Sequence, residues 1–285
     1  MKDNMLEYQP SLVGKIARVI IPFLQKSLPT RAYKIIYDTL YNSYKNVLRV
    51  GYFLKYYFFS IFGNKEQKLK VKLVWRLLKY TMGGRKALEN AFDVVKSIES
   101  RNIEGALVEC GVAEGGTAAM LALSSSILGG HKRIKWFFDS YEGLPEPTME
   151  DYVGGKVGDF IRPLPKGSCL GTIEQVSELM FDELNLSKSE VNLVKGWFQE
   201  TVPIEKNKIG KIAVLRLDGD WYESTKIPLD NFYSQISPGG IVIIDDYGTC
   251  FGSKRAVDEF IFENKILTTI YSDGRGGVWF QKPQP

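Results

Sequence analysis

Val214-Leu215-Arg216-Leu217-Asp218-Gly219-Asp220 and Ile241-Val242-Ile243-Ile244-Asp245-Asp246-Tyr247 are each a short aliphatic run that ends in acid. Runs of this kind, with no polar alternation, read as strands buried on both faces, the signature of a parallel sheet. Ligands of open α/β sheets bind outside the carboxyl ends of the strands. Two such strands therefore deliver Asp218, Asp220, Asp245 and Asp246 to one rim. Crowded carboxylates need positive charge among them, and all-oxygen ligands suit a hard divalent cation, Mg²⁺ first. A single aspartate at a strand end could instead cap the next helix, here one starting at Asp220 or Ser224 and running to Tyr233. A DxD on one strand followed by a DD on the next favours a metal or cofactor site.

Upstream, Ala106-Leu107-Val108-Glu109-Cys110-Gly111-Val112-Ala113-Glu114-Gly115-Gly116-Thr117 precedes the apolar residues 118–128. This is strand, glycine turn, helix. Gly111 and Gly115 let backbone approach a ligand, and the helix N-terminus at Thr117 favours an anionic group. The spacing from Glu109 is E-x-G-x-x-x-G, not the G-x-G-x-x-G of dinucleotide folds. A second strand, 134–139, ends in Asp139, where doubly wound folds bind a nucleoside ribose. These features describe an S-adenosylmethionine pocket as well as a dinucleotide pocket. A third strand, 191–195, runs into the turn Gly196-Trp197-Phe198-Gln199, whose aromatics could stack on adenine or pack in the core.

The Pro- and Gly-rich residues 142–171 lack periodicity, and long loops of this kind are often lids. Helices are expected over 85–99, 172–184 and 254–263. Ser237-Pro238-Gly239-Gly240 reads as a tight turn, and 267–272 with 277–281 as a closing antiparallel pair. Strand–helix alternation over 106–272 gives an α/β domain with a mainly parallel sheet.

Charge divides the chain. Residues 1–86 carry 17 Lys+Arg against 4 Asp+Glu, a net +13, whereas the remainder is −9 and the whole +4. Tyr33, Tyr37, Tyr41 and Tyr44 form a helical stripe, followed by an aromatic stretch, 50–63, too short and too charged for a membrane span. Residues 64–72 read as a solvated, Lys-rich connector before a helix over 74–80. The expected organisation is a basic, aromatic helical extension over 1–72 and a catalytic domain over 73–285. The extension suits peripheral contact with the inner face of the cell membrane through residues 1–63, or a homodimerisation arm. No nucleic-acid module is recognisable. Three cysteines without CxxC spacing, and no secretory signal, lead to the expectation of a cytoplasmic protein with reduced thiols. A lone histidine, His131 in a Gly-Gly-His-Lys-Arg turn, argues against His-based triads and His-rich metal sites.

The motifs Val108-Glu109-Cys110-Gly111-Val112, Phe138-Asp139-Ser140-Tyr141-Glu142-Gly143-Leu144-Pro145, Lys195-Gly196-Trp197-Phe198 and Leu217-Asp218-Gly219-Asp220-Trp221-Tyr222-Glu223-Ser224-Thr225 resemble those of the macrocin O-methyltransferases. So does the run from Ser237-Pro238-Gly239-Gly240 to Asp245-Asp246-Tyr247-Gly248. The resemblance covers roughly residues 75–285 and implies a Rossmann-like, doubly wound methyltransferase sheet, mainly parallel with an antiparallel C-terminal strand. It implies S-adenosylmethionine and Mg²⁺ as cofactors and a sugar or glycan hydroxyl as acceptor. Asp218, Asp245 and Asp246 correspond to metal ligands and Asp220 to the general base. Glu109, Gly111, Gly115, Thr117, Asp139, Ser140, Gly196, Trp197 and Phe198 correspond to the cofactor site, with Asp139 on the ribose. Departures occur at Ala113-Glu114, where many relatives carry Trp-Arg, and at Trp221, where a smaller apolar residue is common. Rival readings on the same fold are a catechol-type O-methyltransferase and a non-catalytic binding protein.

Overall fold

The computed structural model describes residues 16, 19–20, 23–24, 26–130, 132–152 and 166–284. His131 and residues 153–165 of the expected lid lie outside the described residues, as does most of the extension before residue 26. The described chain forms two compact units, divided between Lys79 and Tyr80.

The first unit contains α1 (Thr30–Phe62) and α2 (Lys65–Leu77). The segment read as a connector is helix. Asn64 and Gln67 form a reciprocal capping box that starts α2 by satisfying two backbone donors. Its lysines lie among Val71, Leu73, Val74 and Leu77, which are buried, so a Lys-rich composition masked an amphipathic period.

The second unit opens with α3 (Gly84–Ser100) and then alternates strand and helix: β1 (Ala106–Cys110), α4 (Gly116–Leu128), β2 (Lys135–Asp139), α5 (Ile173–Ser177), β3 (Val191–Lys195), α6 (Phe198–Ile209), β4 (Ile212–Leu217), α7 (Tyr222–Phe232), β5 (Ile236–Ile244) and α8 (Phe251–Glu263). Two short strands, β6 (Tyr271–Ser272) and β7 (Val278–Gln281), close it. The sheet order is β3-β2-β1-β4-β5-β7-β6. Strands β1 to β5 pair in parallel and β7 pairs antiparallel with both β5 and β6. The two strands that end in acid are neighbours, with Leu217 opposite Ile244. Every residue of β4 is buried, as the unalternating sequence requires.

Three local differences from the sequence reading have physical causes. The helix expected over 172–184 opens into a π-helical turn over Glu178–Glu183 after α5. The turn at Gly196 leads at once into α6, a helix hidden in the sequence by Pro203 in its interior. Ser237-Pro238-Gly239-Gly240 is not a separate turn but part of β5, where the register with β4 shifts.

Candidate functional site

The strand order reverses between β1 and β4, which places the crevice at their carboxyl ends. Backbone bonds beyond the strands join these ends. Asp218 N donates to Cys110 O at 2.8 Å, Gly111 N to Phe138 O at 2.9 Å, and Asp245 N to Leu217 O at 2.9 Å. Gly111 sits at φ +94°, and a Cβ there would come 1.9 Å from Asp218 O. Glycine is thus required for both its backbone angle and its lack of a side chain.

A buried arginine organises the acids on this rim. Arg216 Nη1 donates to Glu109 Oε1 at 2.5 Å and to Asp218 Oδ2 at 2.9 Å, and its Nη2 to Asp245 Oδ1 at 2.5 Å. Burial alone would lower the guanidinium's pKa, but Asp218, Asp245 and Glu109 raise it well above its ordinary value and hold it charged. Arg275 pairs with the other oxygen of Asp245. Asp246 is buried and accepts from Thr249 Oγ1 at 2.9 Å. Carboxylate oxygens of Asp218, Asp245 and Asp246 lie within 4.8 Å of one another. Asp218 keeps 29% of its side chain exposed, yet burial and then Asp245 push its carboxyl well above the usual range. Two arginines do not neutralise Glu109, Asp218, Asp220, Asp245 and Asp246. Each carboxylate oxygen has two lone pairs, so those of Asp245 can serve a guanidinium and a further ligand. This all-oxygen set fits a hard divalent cation.

Asp220 ends the DxD at φ +60°, a left-handed conformation uncommon outside glycine. It is buried at the pocket wall, with Cys250 Sγ 3.4 Å from its Oδ1.

The glycine turn forms the other half of the pocket. Gly111, Val112, Ala113, Glu114 and Thr117 share one cavity with Asp139, Ser140, Trp197 and Phe198, and with Asp218, Asp220 and Asp245. Asp139 Oδ2 accepts from Val112 N at 2.7 Å and Ala113 N at 2.9 Å, and Oδ1 from Tyr141 N at 2.7 Å. The carboxylate therefore shapes the turn while lining the cavity, and these three bonds use three of its four lone-pair sites. These groups fit a nucleoside carrying an amino-acid chain: backbone at a helix start, a carboxylate beyond β2 and aromatics beyond β3.

A third wall comes from the loop after β2. Leu144, Pro145, Thr148 and Asp151 line the cavity together with Trp221, which packs on Leu144. Trp221 Nε1 donates to Pro145 O at 3.0 Å. Asp151, fully buried, accepts from Tyr222 N at 2.6 Å and Thr148 N at 2.8 Å, tying this loop to the start of α7.

Residues 58–282 match the sequence model of the macrocin-O-methyltransferase (TylF) family. The chain belongs to this family. It is an O-methyltransferase. It is 36% identical over 211 residues to demethyldecarbamoylnovobiocin O-methyltransferase of Streptomyces niveus, covering 73% of this chain and 78% of that protein. It is 36% identical over 207 residues to the 8-demethyl-8-(2,3-dimethoxy-alpha-L-rhamnosyl)-tetracenomycin-C 4'-O-methyltransferase of Streptomyces olivaceus, covering 72% and 77%. The solved structure of the O-methyltransferase NovP superposes with a TM-score of 0.63 at 34% identity, over 72% of this chain and 83% of that one. The calicheamicin methyltransferase CalS11 covers 99% of this chain with a TM-score of 0.55, and at 16% identity it supports the fold alone.

In this macrocin-type O-methyltransferase, four residues expected at the site stand behind the cavity wall. Glu109 is fully buried beneath it, holding Thr117 Oγ1 and Arg216. Gly115 packs toward Val176 and Leu179, Gly196 toward Thr201, and Asp246 lies behind the rim within 4.8 Å of carboxylate oxygens of Asp218 and Asp245 and, in a second group, of Asp220 and Cys250 Sγ. Sequence reasoning assigned no role to Arg216, Arg275 or Asp151, nor to Tyr80, Thr81, Met82 and Gly83, which also line the cavity. Arg216 had a signal: one cation inside an otherwise aliphatic, doubly buried strand must have acid beside it.

Proposed function

We propose that this enzyme transfers a methyl group from S-adenosylmethionine to a sugar hydroxyl of a glycosylated metabolite or glycan, with a divalent cation held by Asp218, Asp245 and Asp246. The observation that carries the reading is the shared cavity. It joins the glycine turn and Asp139 to Asp218, Asp220 and Asp245 without an intervening wall, and Asp246 stands behind them within 4.8 Å of the Asp218 and Asp245 oxygens. The relatives' names support the acceptor class, since one is named for a rhamnosyl-bearing substrate and another is a mycinamicin III 3''-O-methyltransferase from Micromonospora griseorubida, 30% identical.

S-adenosylmethionine supplies a methyl carbon already activated by sulfonium. A bound Mg²⁺ supplies Lewis acidity that lowers the pKa of an adjacent hydroxyl. The chain's own residues do the rest. Asp139 and the turn fix the nucleoside end. Trp197 and Phe198 close over the base, and Asp220 takes the hydroxyl proton as the C–O bond forms and the electron pair of the broken C–S bond stays on sulfur. A carboxylate oxygen of Asp220 lies within 4.8 Å of one from Asp246 and of Cys250 Sγ, next to the residues assigned to the cation. Trp221, held by Pro145 O, forms the acceptor wall.

The test is incubation with S-adenosylmethionine and Mg²⁺ against a panel of deoxysugar glycosides, envelope glycans and catechols, read by mass spectrometry for a gain of one CH₂. Methylation of glycosides with release of S-adenosylhomocysteine supports the reading. Methylation of catechols alone overturns it.

A further inference from the structure

Asp245 carries two guanidiniums, and they differ in kind. Arg216 holds Oδ1 from the middle of the sheet, with 1% of its side chain exposed and with Glu109 and Asp218 as further partners. It belongs to the fold. Arg275 holds Oδ2 from the turn Asp273-Gly274-Arg275-Gly276-Gly277 between β6 and β7, with 16% of its side chain exposed. Its Nη2 also stands 3.5 Å from Asp245 O.

In this turn the backbone is fastened and the side chain is not. Asp273 Oδ1 accepts from Arg275 N at 2.7 Å and from Gly276 N at 3.1 Å. Gly276 O accepts from Gly248 N at 2.7 Å, two residues past the DD pair. The turn is thus tied to the end of β5. Gly274 and Gly276, at φ +76° and +126°, leave no side chain on either neighbour of Arg275. The other oxygen of Asp273 lies 3.7 Å from Arg275 Nε. A guanidinium that turns away from Asp245 therefore has an acid of its own turn to pair with.

Charge gives the direction. The role of Arg275 rests on the cation site proposed for Asp218, Asp245 and Asp246, whose oxygens lie within 4.8 Å of one another. Asp245 has lone pairs enough for Arg216 and a cation. A second guanidinium on the same buried carboxylate would set like charges side by side where little water screens them. Affinity for a hard cation follows the charge of its ligands, and Arg275 compensates one of them. We propose that Arg275 competes with the divalent cation for Asp245. The β6–β7 turn then sets the cation affinity of the site, and the guanidinium moves to Asp273 when the cation binds.

Isothermal titration of the full chain with Mg²⁺, and with Mn²⁺ as a second probe, tests this. Arg275→Gln should bind Mg²⁺ at least about fivefold more tightly than the wild type, because a neutral amide does not oppose a cation. Arg275→Lys, which keeps the charge, should lie between the two. Thermal melting gives a second reading. Arg275→Gln should melt below the wild type without added cation and gain more from the same Mg²⁺ concentration. A wild-type crystal soaked in Mn²⁺, located by anomalous scattering, should show Arg275 on Asp273 and off Asp245, a measurement that needs no variant to fold. Binding that the Gln variant weakens or leaves unchanged overturns the proposal, as does a Mn²⁺-bound structure with Arg275 still on Asp245 Oδ2. The cation reading survives both results. No binding of either ion by the wild type or the variants overturns that reading and the proposal together.

Discussion

Arg216 on β4 reaches across to Asp245 beyond the end of β5, Nη2 to Oδ1 at 2.5 Å, while its Nη1 holds Asp218 two residues along its own strand. One guanidinium thus fixes the separation of two acids that converge on the rim, and a third, Glu109, anchors it from β1. The first positive charge among the carboxylates comes from the protein itself.

Replacing Arg216 by Met should destabilise the fold by about 3–5 kcal/mol, because three acids lose a buried counter-charge. Arg216→Lys should recover only part, since one ammonium cannot bridge groups on three strands. Urea denaturation checks both. A loss below about 1 kcal/mol for the Met variant would mean that water reaches the cluster.

Gly111→Ala introduces a methyl 1.9 Å from Asp218 O at a backbone angle, φ +94°, that alanine disfavours. The carboxyl ends of β1 and β4 must part to admit it. We expect a stability loss of about 3 kcal/mol, with turnover lost because Asp218 shifts relative to Asp245. A crystal structure of the variant with an unmoved β4 terminus and full activity would refute this.

The acids and the sheet were legible in the sequence because each depends on a local pattern: unalternating aliphatic runs, glycine at a strand–helix junction, acid after the last aliphatic residue. What was hidden depends on neighbours. Arg216 gained its role only once β1 brought Glu109 and β5 brought Asp245 to its two sides. Glu109 looked like a pocket residue beside Gly111, but it lies one position before the end of β1 and faces beneath the rim. Asp151 sits in an aperiodic loop, and nothing local marks it as the acceptor for the first amide of α7. α6 begins at once after the Gly196 turn, within the residues read as that turn, and carries Pro203 in its interior.

Asp218→Asn and Asp246→Asn should each lower turnover by at least about 100-fold with the fold retained, since an amide oxygen replaces an anionic donor. Excess EDTA should do the same to the wild type, and Mg²⁺ should restore it. Isothermal titration with Mg²⁺ provides a readout separate from activity. Wild-type rates in EDTA would remove the cation from the reading.

Asp139→Ala should weaken S-adenosylmethionine binding by about 1.5–3 kcal/mol, the scale of hydrogen bonds to a charged group. The effect has two sources: any contact with the ligand, and loss of the acceptor for Val112, Ala113 and Tyr141 amides. Thermal melting of the ligand-free variant separates them. Unchanged affinity with a lowered Tm would leave Asp139 a purely structural residue.

Glu109 gives a pH signature with a definite sign. Burial, opposed by Arg216 and the Thr117 hydroxyl and assisted by Asp218, raises its carboxyl from 4.5 to about 7. Its Oε2 has no hydrogen-bond partner among the described residues, which is where the cost of ionisation arises. The folded state therefore holds this proton over a range in which the unfolded chain has released it. Stability from this group is fully present below about pH 4.5, falls as pH rises, and is gone above about pH 7. The amplitude is on the order of 3 kcal/mol, from roughly 1.4 kcal/mol per pH unit. Glu109→Gln keeps an acceptor for Arg216 and Thr117 but cannot titrate. Its stability should lack this descent, so the wild-type minus variant difference should slope downward between about pH 4.5 and 7. Urea denaturation at half-unit steps measures it. Parallel curves would show that Glu109 titrates alike in the folded and unfolded chain, and a difference rising with pH would show that Arg216 holds its pKa below that of the unfolded chain.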